Sequence, residues 1–287
     1  MSPAPLPPVA EPFQLPFHYG ALHMIGVDYL VDPEPVRVTL AKHHPALAAA
    51  DFAGRALVSL NYQLYFAQYA FGGGITQEIE INIIAHPADA GDRVPDVTYA
   101  QYAQGWDQTR LLGIARIHVL CDNPLAIDAG RRLYAEPKHP GWFEVHMPSP
   151  NGDTAGRWNV LCKHAETAAG DTLERRDTDV FSLTADLAGL PATPVNNTPI
   201  TGYGTTDEGR ALAGPMVIHQ PGHWHPLDTS DTERVRVTVH DETTEAGQDL
   251  VRLIGEASPS GAWTYQSAPV AAHQRPYYLR TGPAEVG

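Results

Sequence analysis

Apolar and polar residues alternate at period two along much of the chain, the pattern of strands with two different faces. The segment Ile75-Thr-Gln-Glu-Ile-Glu-Ile-Asn-Ile-Ile84 shows it most clearly. Ile75, Ile79, Ile81 and Ile83 share one parity, whereas Glu78, Glu80 and Asn82 share the other, so a strand here sends isoleucines and carboxylates to opposite sides. Segments 56–66 and 233–240 alternate similarly, and 110–120, 157–162 and 179–183 read as further strands. Helix signals are few. Asn123-Pro124 sets a capping side chain before a proline at the first helical position, predicting a short helix to about Arg131. Alanine-rich 45–50 predicts another, 243–255 fits either helix or strand, and 191–204 reads as loop. The aromatic pairs at Trp263-Thr-Tyr265 and Pro276-Tyr-Tyr278 predict a closing strand against the core.

The pattern therefore predicts a mainly β (α+β) protein of mostly antiparallel strands with a few short helices. No repeat or shift of composition divides it, so 21–287 reads as one domain behind an extended, proline-stiffened arm over 1–20.

Charge and cysteine content narrow the function classes. A formal net charge of −14 without a basic cluster excludes the electrostatic footprint of a nucleic-acid binder and gives nothing to hold anionic lipid. No stretch reaches the roughly twenty apolar residues of a membrane-spanning helix. The start, Met1-Ser-Pro-Ala-Pro-Leu-Pro-Pro8, lacks the basic and apolar regions of a secretory signal. Cys121 and Cys162 read as buried thiols of a reducing compartment. A soluble, cytoplasmic protein is expected, in which the acceptor-like Asn196-Asn-Thr198 has no glycosylation role.

Lysine occurs only at 42, 138 and 163, against sixteen arginines. Arginine supplies permanent charge, but an amine nucleophile has to be lysine, whose pKa can be brought down by burial. Lys138 follows an apolar helical stretch and precedes Pro, Gly and aromatics. The residues Asp122-Asn123-Pro124, Ala126, Ile127, Gly130-Arg131, Leu133 and Pro137-Lys138 resemble the pattern of the acetoacetate decarboxylase superfamily.

That resemblance implies a cone- or barrel-like double sheet enclosing a pocket, a homo-oligomer, no cofactor, a small keto acid as substrate, and Lys138 as the residue forming an imine with it. Burial or a nearby cation would make its free amine available. Gly72-Gly-Gly74 followed by Glu78 aligns with a glycine turn leading to an active-site glutamate, with Glu80 as the second candidate for proton transfer. On an alternating strand, each equally reads as a solvated side chain. Arg131 and Arg132 read as carboxylate partners or as favourable charges at a helix end. Two departures stand out: His139 occupies the place of a second lysine, and 23–29 holds no arginine. Decarboxylation of a β-keto acid is the first expectation, and aldol condensation with dehydration, using pyruvate or a related 2-oxo acid, is the runner-up. Tyr265 reads as a pocket hydroxyl or a packing residue. A different class is a ligand- or metal-binding β-barrel using His219, His223 and His225, with Asp228 as a carboxylate partner.

Overall fold

The computed structural model describes residues 6–106, 112–151, 156–168, 172–197 and 200–279. The first five residues of the arm, the opening of 110–120, Thr198 of the glycosylation-like triplet and 280–287 lie outside the described residues. The chain begins with β1 (His18–Val31), α1 (Pro33–His43), β2 (Leu47–Ala49), β3 (Ala56–Tyr69) and β4 (Gly72–Pro87). Next come α2 (Tyr99–Ala103), β5 (Gly113–Cys121), α3 (Pro124–Tyr134), β6 (Lys138–His146), β7 (Arg157–Ala168) and β8 (Thr172–Asp186). The last part holds β9 (Thr193–Asn197), β10 (Ile200–Thr205), β11 (Ala211–Met216), β12 (Gln220–Pro226), β13 (Val235–Val239), α4 (Glu245–Ile254) and β14 (Gly261–Gln266).

Strand order runs β13-β8-β7-β6-β5-β4-β3-β1-β14-β12-β9, with β10, β11 and β2 attached beside that path. Pairing is antiparallel except where β5 meets β6 and β10. This is the mainly β architecture that the alternation predicts, and α3 starts on its Asn123 cap with Pro124 in the first turn. Three local expectations are corrected. Segment 45–50 forms no helix: Leu47–Ala49 pairs with β4, where an open strand edge outweighs alanine's helix propensity. The helix lies earlier, as α1, capped by Asp32 and opened by Pro33. The 191–204 stretch is not a plain loop but carries β9 and β10, paired with β12 and with β11. Trp263–Tyr265 does lie in a strand against β1, whereas Tyr277 and Tyr278 stand exposed beyond it. The ambiguous 243–255 contains α4, capped by Thr244. β1 begins at His18, inside the stretch read as arm, and Phe13 packs in a small cluster with Ala129 and Leu133 of α3. No described helix is long and apolar enough to cross a membrane.

One face of the β3–β4 pair is apolar: Val58, Leu60, Tyr62, Ile79, Ile81 and Ile83 share a core with Trp158, Val160, Phe181 and Leu183 of β7 and β8. Val36 and Leu40 of α1 and Leu250 and Leu253 of α4 close that core. The opposite face carries Ser59, Asn61 and Gln63, aligned with Asn82, Glu80 and Glu78. It is buried too: Glu78 is 4 % exposed, Glu80 2 % and Asn82 1 %. A strand that alternates as though one side were wet is thus covered on both, and polar side chains line an interior. At one end they border a cavity of about 80 Å³ with Asp28, Ser59, Asn61 and Asn82 in its wall.

Burial pushes the Asp28 carboxyl up to about 6, against hydrogen bonds from Ser59, Tyr99 and Trp263 that favour the ionised form. The native state therefore holds a proton there between about pH 4 and 6 that the unfolded chain has lost, and stability falls as pH rises through that window. Asp28→Asn removes this penalty. Urea unfolding at pH 4 and pH 7 is expected to show the variant gaining about 3 kcal/mol relative to wild type between the two pH values; a pH-independent difference contradicts the account.

Candidate active site

Lys138 is placed by a tight turn. α3 ends at Ala135 in the left-handed conformation (φ 51), and Glu136 N–H returns to Gly130 O at 3.1 Å. Pro137 O then accepts from Val119 N–H at 3.0 Å, seating β6 beside β5 in parallel register with Lys138 opposite Val119. Gly130 leaves the space the lysine uses: a Cβ there would fall 2.7 Å from Lys138 Cδ and 2.5 Å from Glu136 Oε2. This is the physical reason for glycine in the sequence pattern.

The Lys138 Nζ donates to Glu78 Oε2 at 2.6 Å and lies 3.5 Å from Glu136 Oε2. Gln63 holds the other Glu78 oxygen at 2.6 Å. Arg116 joins the group, with Nε 2.8 Å from Glu80 Oε1 and Nη1 3.3 Å from Glu136 Oε1, while Asn82 donates to Glu80 Oε2 at 3.0 Å. Arg116 reaches this face because of a bulge: β5 pairs His118 with Ile81 but Arg116 with Asn82, leaving Ile117 as the extra residue. The result is a buried cluster of two cations and three carboxylates. It has the burial expected at Lys138 but not the apolar surroundings, and its second cation, Arg116, is paired with Glu80 and Glu136. Burial disfavours the ammonium, yet Glu78 and Glu136 outweigh it and hold Lys138 well above the ordinary lysine pKa. Burial likewise opposes the charge on Glu136, but Arg116 and Lys138 prevail and hold it low.

Tyr19 and Tyr69 lie close enough to feel Lys138 and Glu78, and burial pushes the Tyr69 hydroxyl up to about 12, so it remains a proton donor. A cavity of about 750 Å³ is bordered by Lys138, Glu136, Arg116, Arg131, Arg132, His139 and the end of α1. The other sequence candidates take different positions. Arg131 donates through Nε to Lys138 O at 2.7 Å and stands at the cavity wall. Arg132 bonds Asp128 and Glu11 O and lies over the Phe13 ring, a structural anchor for the arm. His139 alternates away from Lys138 and lies 6.1 Å, ring to ring, from His118. Tyr265 pairs with Met24 and borders neither cavity described here. His219, His223, His225 and Asp228 do not converge: His225 Nδ1 contacts Pro191 O at 3.0 Å, His223 is exposed, and Asp228 caps a turn at Ser230. Among the described residues one group has metal-compatible donors, His43, His118 and Asp249. Sequence reasoning missed it, and also missed Arg116 and Glu136. The signal for Arg116 was a lone charge inside an apolar strand, which has to be paired when buried.

No protein-family model matches the chain, and no curated protein sequence matches it. The fold is nevertheless shared with solved structures. The enduracididine biosynthesis enzyme MppR in complex with pyruvate superposes with a TM-score of 0.55 at 14% identity, covering 90% of this chain and 89% of that one. The same enzyme with the condensation product of pyruvate and imidazole 4-carboxaldehyde gives 0.53 at 13% identity, covering 93% and 94%. An acetoacetate decarboxylase-like enzyme from Sphingomonas wittichii RW1 gives 0.50 at 12% identity, covering 87% and 88%. The chain thus has the acetoacetate decarboxylase-like fold.

The cluster's charges are interdependent. Lys138→Met leaves Glu78 and Glu136 buried with one cation fewer and is expected to cost roughly 3–5 kcal/mol in chemical unfolding at pH 7. Adding Glu78→Gln should restore most of that loss; a double variant as unstable as the sum of its single changes would show that the two groups are not coupled.

Proposed function

We propose that the protein is a lysine-imine enzyme acting on a small 2-oxo acid, with the Lys138–Glu78 pair as its reacting centre. The observation that carries this reading is the 2.6 Å contact between a buried amine and a carboxylate beside a cavity large enough for a small substrate. Lys138 passes its proton to Glu78 and the freed Nζ attacks the ketone carbon. Glu78 returns the proton to the carbinolamine oxygen, which leaves as water, and the iminium forms. Glu78 then removes a proton from the adjacent carbon to give the enamine. As the enamine attacks an aldehyde and forms the new carbon–carbon bond, Glu78 gives its proton to the aldehyde oxygen. Glu78 then takes a second proton from the same carbon and returns it to that hydroxyl, which leaves as water with formation of a carbon–carbon double bond. Hydrolysis of the imine frees Lys138.

This puts aldol condensation with dehydration ahead of the decarboxylation first expected. Decarboxylation needs an electron sink but no base at the enamine carbon, whereas condensation needs a base able to deliver and remove protons beside the iminium. Glu78 occupies that place, and Tyr19 and Tyr69 add phenolic donors. The pyruvate and aldehyde-derived ligands carried by the structurally similar MppR are compatible with the same substrate class. Arg131 at the cavity wall is the proposed partner of the substrate carboxylate.

Incubation with pyruvate followed by borohydride should leave a stable adduct on the peptide containing Lys138. Lys138→Arg keeps the charge and is expected to abolish the adduct while leaving the fold intact. An unlabelled Lys138 across a panel of 2-oxo and β-keto acids would sink the proposal, and release of carbon dioxide without aldehyde consumption would assign decarboxylation instead. Gly130→Ala gives a second, geometric test. Alanine suits a helix better than glycine, but its methyl would fall 2.5 Å from Glu136 Oε2 and 2.7 Å from Lys138 Cδ, so the thermal midpoint should fall while the protein remains folded. The added methyl pushes on the lysine stem, and adduct formation is expected to slow by about 100-fold; an unchanged rate argues against the arrangement described.

A further inference from the structure

Behind the sheet, on the face opposite Lys138, three polar side chains converge from separate elements. His43 ends α1, His118 lies on β5 and Asp249 lies on α4. Both imidazoles present Nε2 to one oxygen: His118 at 2.9 Å and His43 at 3.1 Å from Asp249 Oδ2. All three donor atoms lie within 4.8 Å of one another. The carboxylate is 1 % exposed and the His118 side chain 3 %, while His43 borders the large cavity. We propose that His43, His118 and Asp249 form a binding site for a divalent first-row transition metal of the zinc class.

Three features favour a metal over a simple hydrogen-bonded trio. First, the donor set of two imidazoles and one carboxylate suits zinc and its neighbours rather than magnesium or calcium. A tetrahedral zinc site with bonds of about 2.0–2.2 Å has donor–donor edges of roughly 3.4 Å. The two carboxylate–imidazole separations are within about 0.5 Å of that value, so small side-chain adjustments open the site. Second, the carboxylate is already oriented. Arg252 Nη1 holds Asp249 Oδ1 at 2.5 Å and leaves Oδ2 facing the histidines. The nearest ammonium, Lys42, is drawn to Glu245 at 2.5 Å and stays 3.8 Å from Asp249 Oδ2. Third, the His118 and Asp249 side chains are 3 % and 1 % exposed, so water has little access to compete for their donor atoms. His139, close to the His118 ring, places another imidazole beside the group. None of these histidines belongs to the His219–His225 run on which the sequence fixes attention.

A metal here links α1, β5 and α4 and stiffens the wall of the cavity without contacting Lys138. None of its three ligands is assigned a role in the proposed imine chemistry, although His43 borders the same cavity as Lys138. Titration of the full-length, chelator-treated protein with Co²⁺ tests it. Wild type is expected to bind one equivalent with visible d–d absorption, and one equivalent of Zn²⁺ should displace the cobalt and raise the thermal midpoint. His43→Ala, at the rim, and Asp249→Asn, of unchanged shape, should each weaken cobalt binding by at least about 100-fold. Circular dichroism of each variant establishes that it is folded. Absence of stoichiometric uptake by wild type, or an unchanged cobalt spectrum in either folded variant, overturns the assignment.

Discussion

The constraint that organises this molecule is the need to pair every charge in the Lys138, Glu78, Glu136, Arg116 and Glu80 cluster. Each ion taken out of water costs several kcal/mol, recovered only when partners and hydrogen bonds meet it in good geometry. An apolar core tolerates exchange of one aliphatic residue for another of similar volume. Five buried charges tolerate little displacement, because moving one strands another. The positions of β4, the β5 bulge and the α3–β6 turn are therefore mutually dependent. Glu136 illustrates this: it reaches both Arg116 and Lys138 because Ala135 takes a left-handed conformation and returns the chain to Gly130.

The same geometry divides the chemistry between two faces. On β6, Lys138 turns inward while His139 turns to the opposite side, the ordinary alternation of a strand. On β5 the bulge lets Arg116 join the carboxylates while His118 faces α1 and α4. Were β5 regular, with Ile117 taking its own place in the pairing, Arg116 and His118 would lie two residues apart on one side of the strand. A single irregularity in pairing thus supports an ionic centre within the sheet and an imidazole–carboxylate group behind it.

Much of the architecture was legible because period-two alternation is a local property. The Ile75–Ile84 pattern predicts the course of β4 and the shared face of Glu78 and Glu80. It cannot show that the polar face is also covered, since that depends on strands distant in sequence. Lys138 stood out through the rarity of lysine and the surrounding pattern. Arg116 and Glu136 did not, because their significance lies in pairings across β4, β5 and the turn after α3. The misread 45–50 stretch follows the same rule: its composition favours a helix, and only the open edge of β4 makes it a strand. Histidine density drew attention to 219–225, whereas the convergent donors come from residues 75 and 131 positions apart in sequence.

A raised lysine pKa looks opposed to imine chemistry, since the attacking form is the free amine. The balance of charge resolves the conflict. In the proposed reaction, passing the proton from Lys138 to Glu78 would change the charge of neither the cluster nor the cavity, so the amine would be exposed by a transfer over one short hydrogen bond rather than by loss of a proton to water. Once the proposed carbinolamine expels water with that proton, Lys138 would be a cationic iminium and Glu78 again a carboxylate. The charge pattern of the intermediate is then that of the resting ion pair. Carboxylates that hold the ammonium in place also stand ready to stabilise the iminium, with no reorganisation of the surrounding dipoles. For the reaction proposed, a strongly paired lysine is an advantage, provided its partner is the base that first takes the proton.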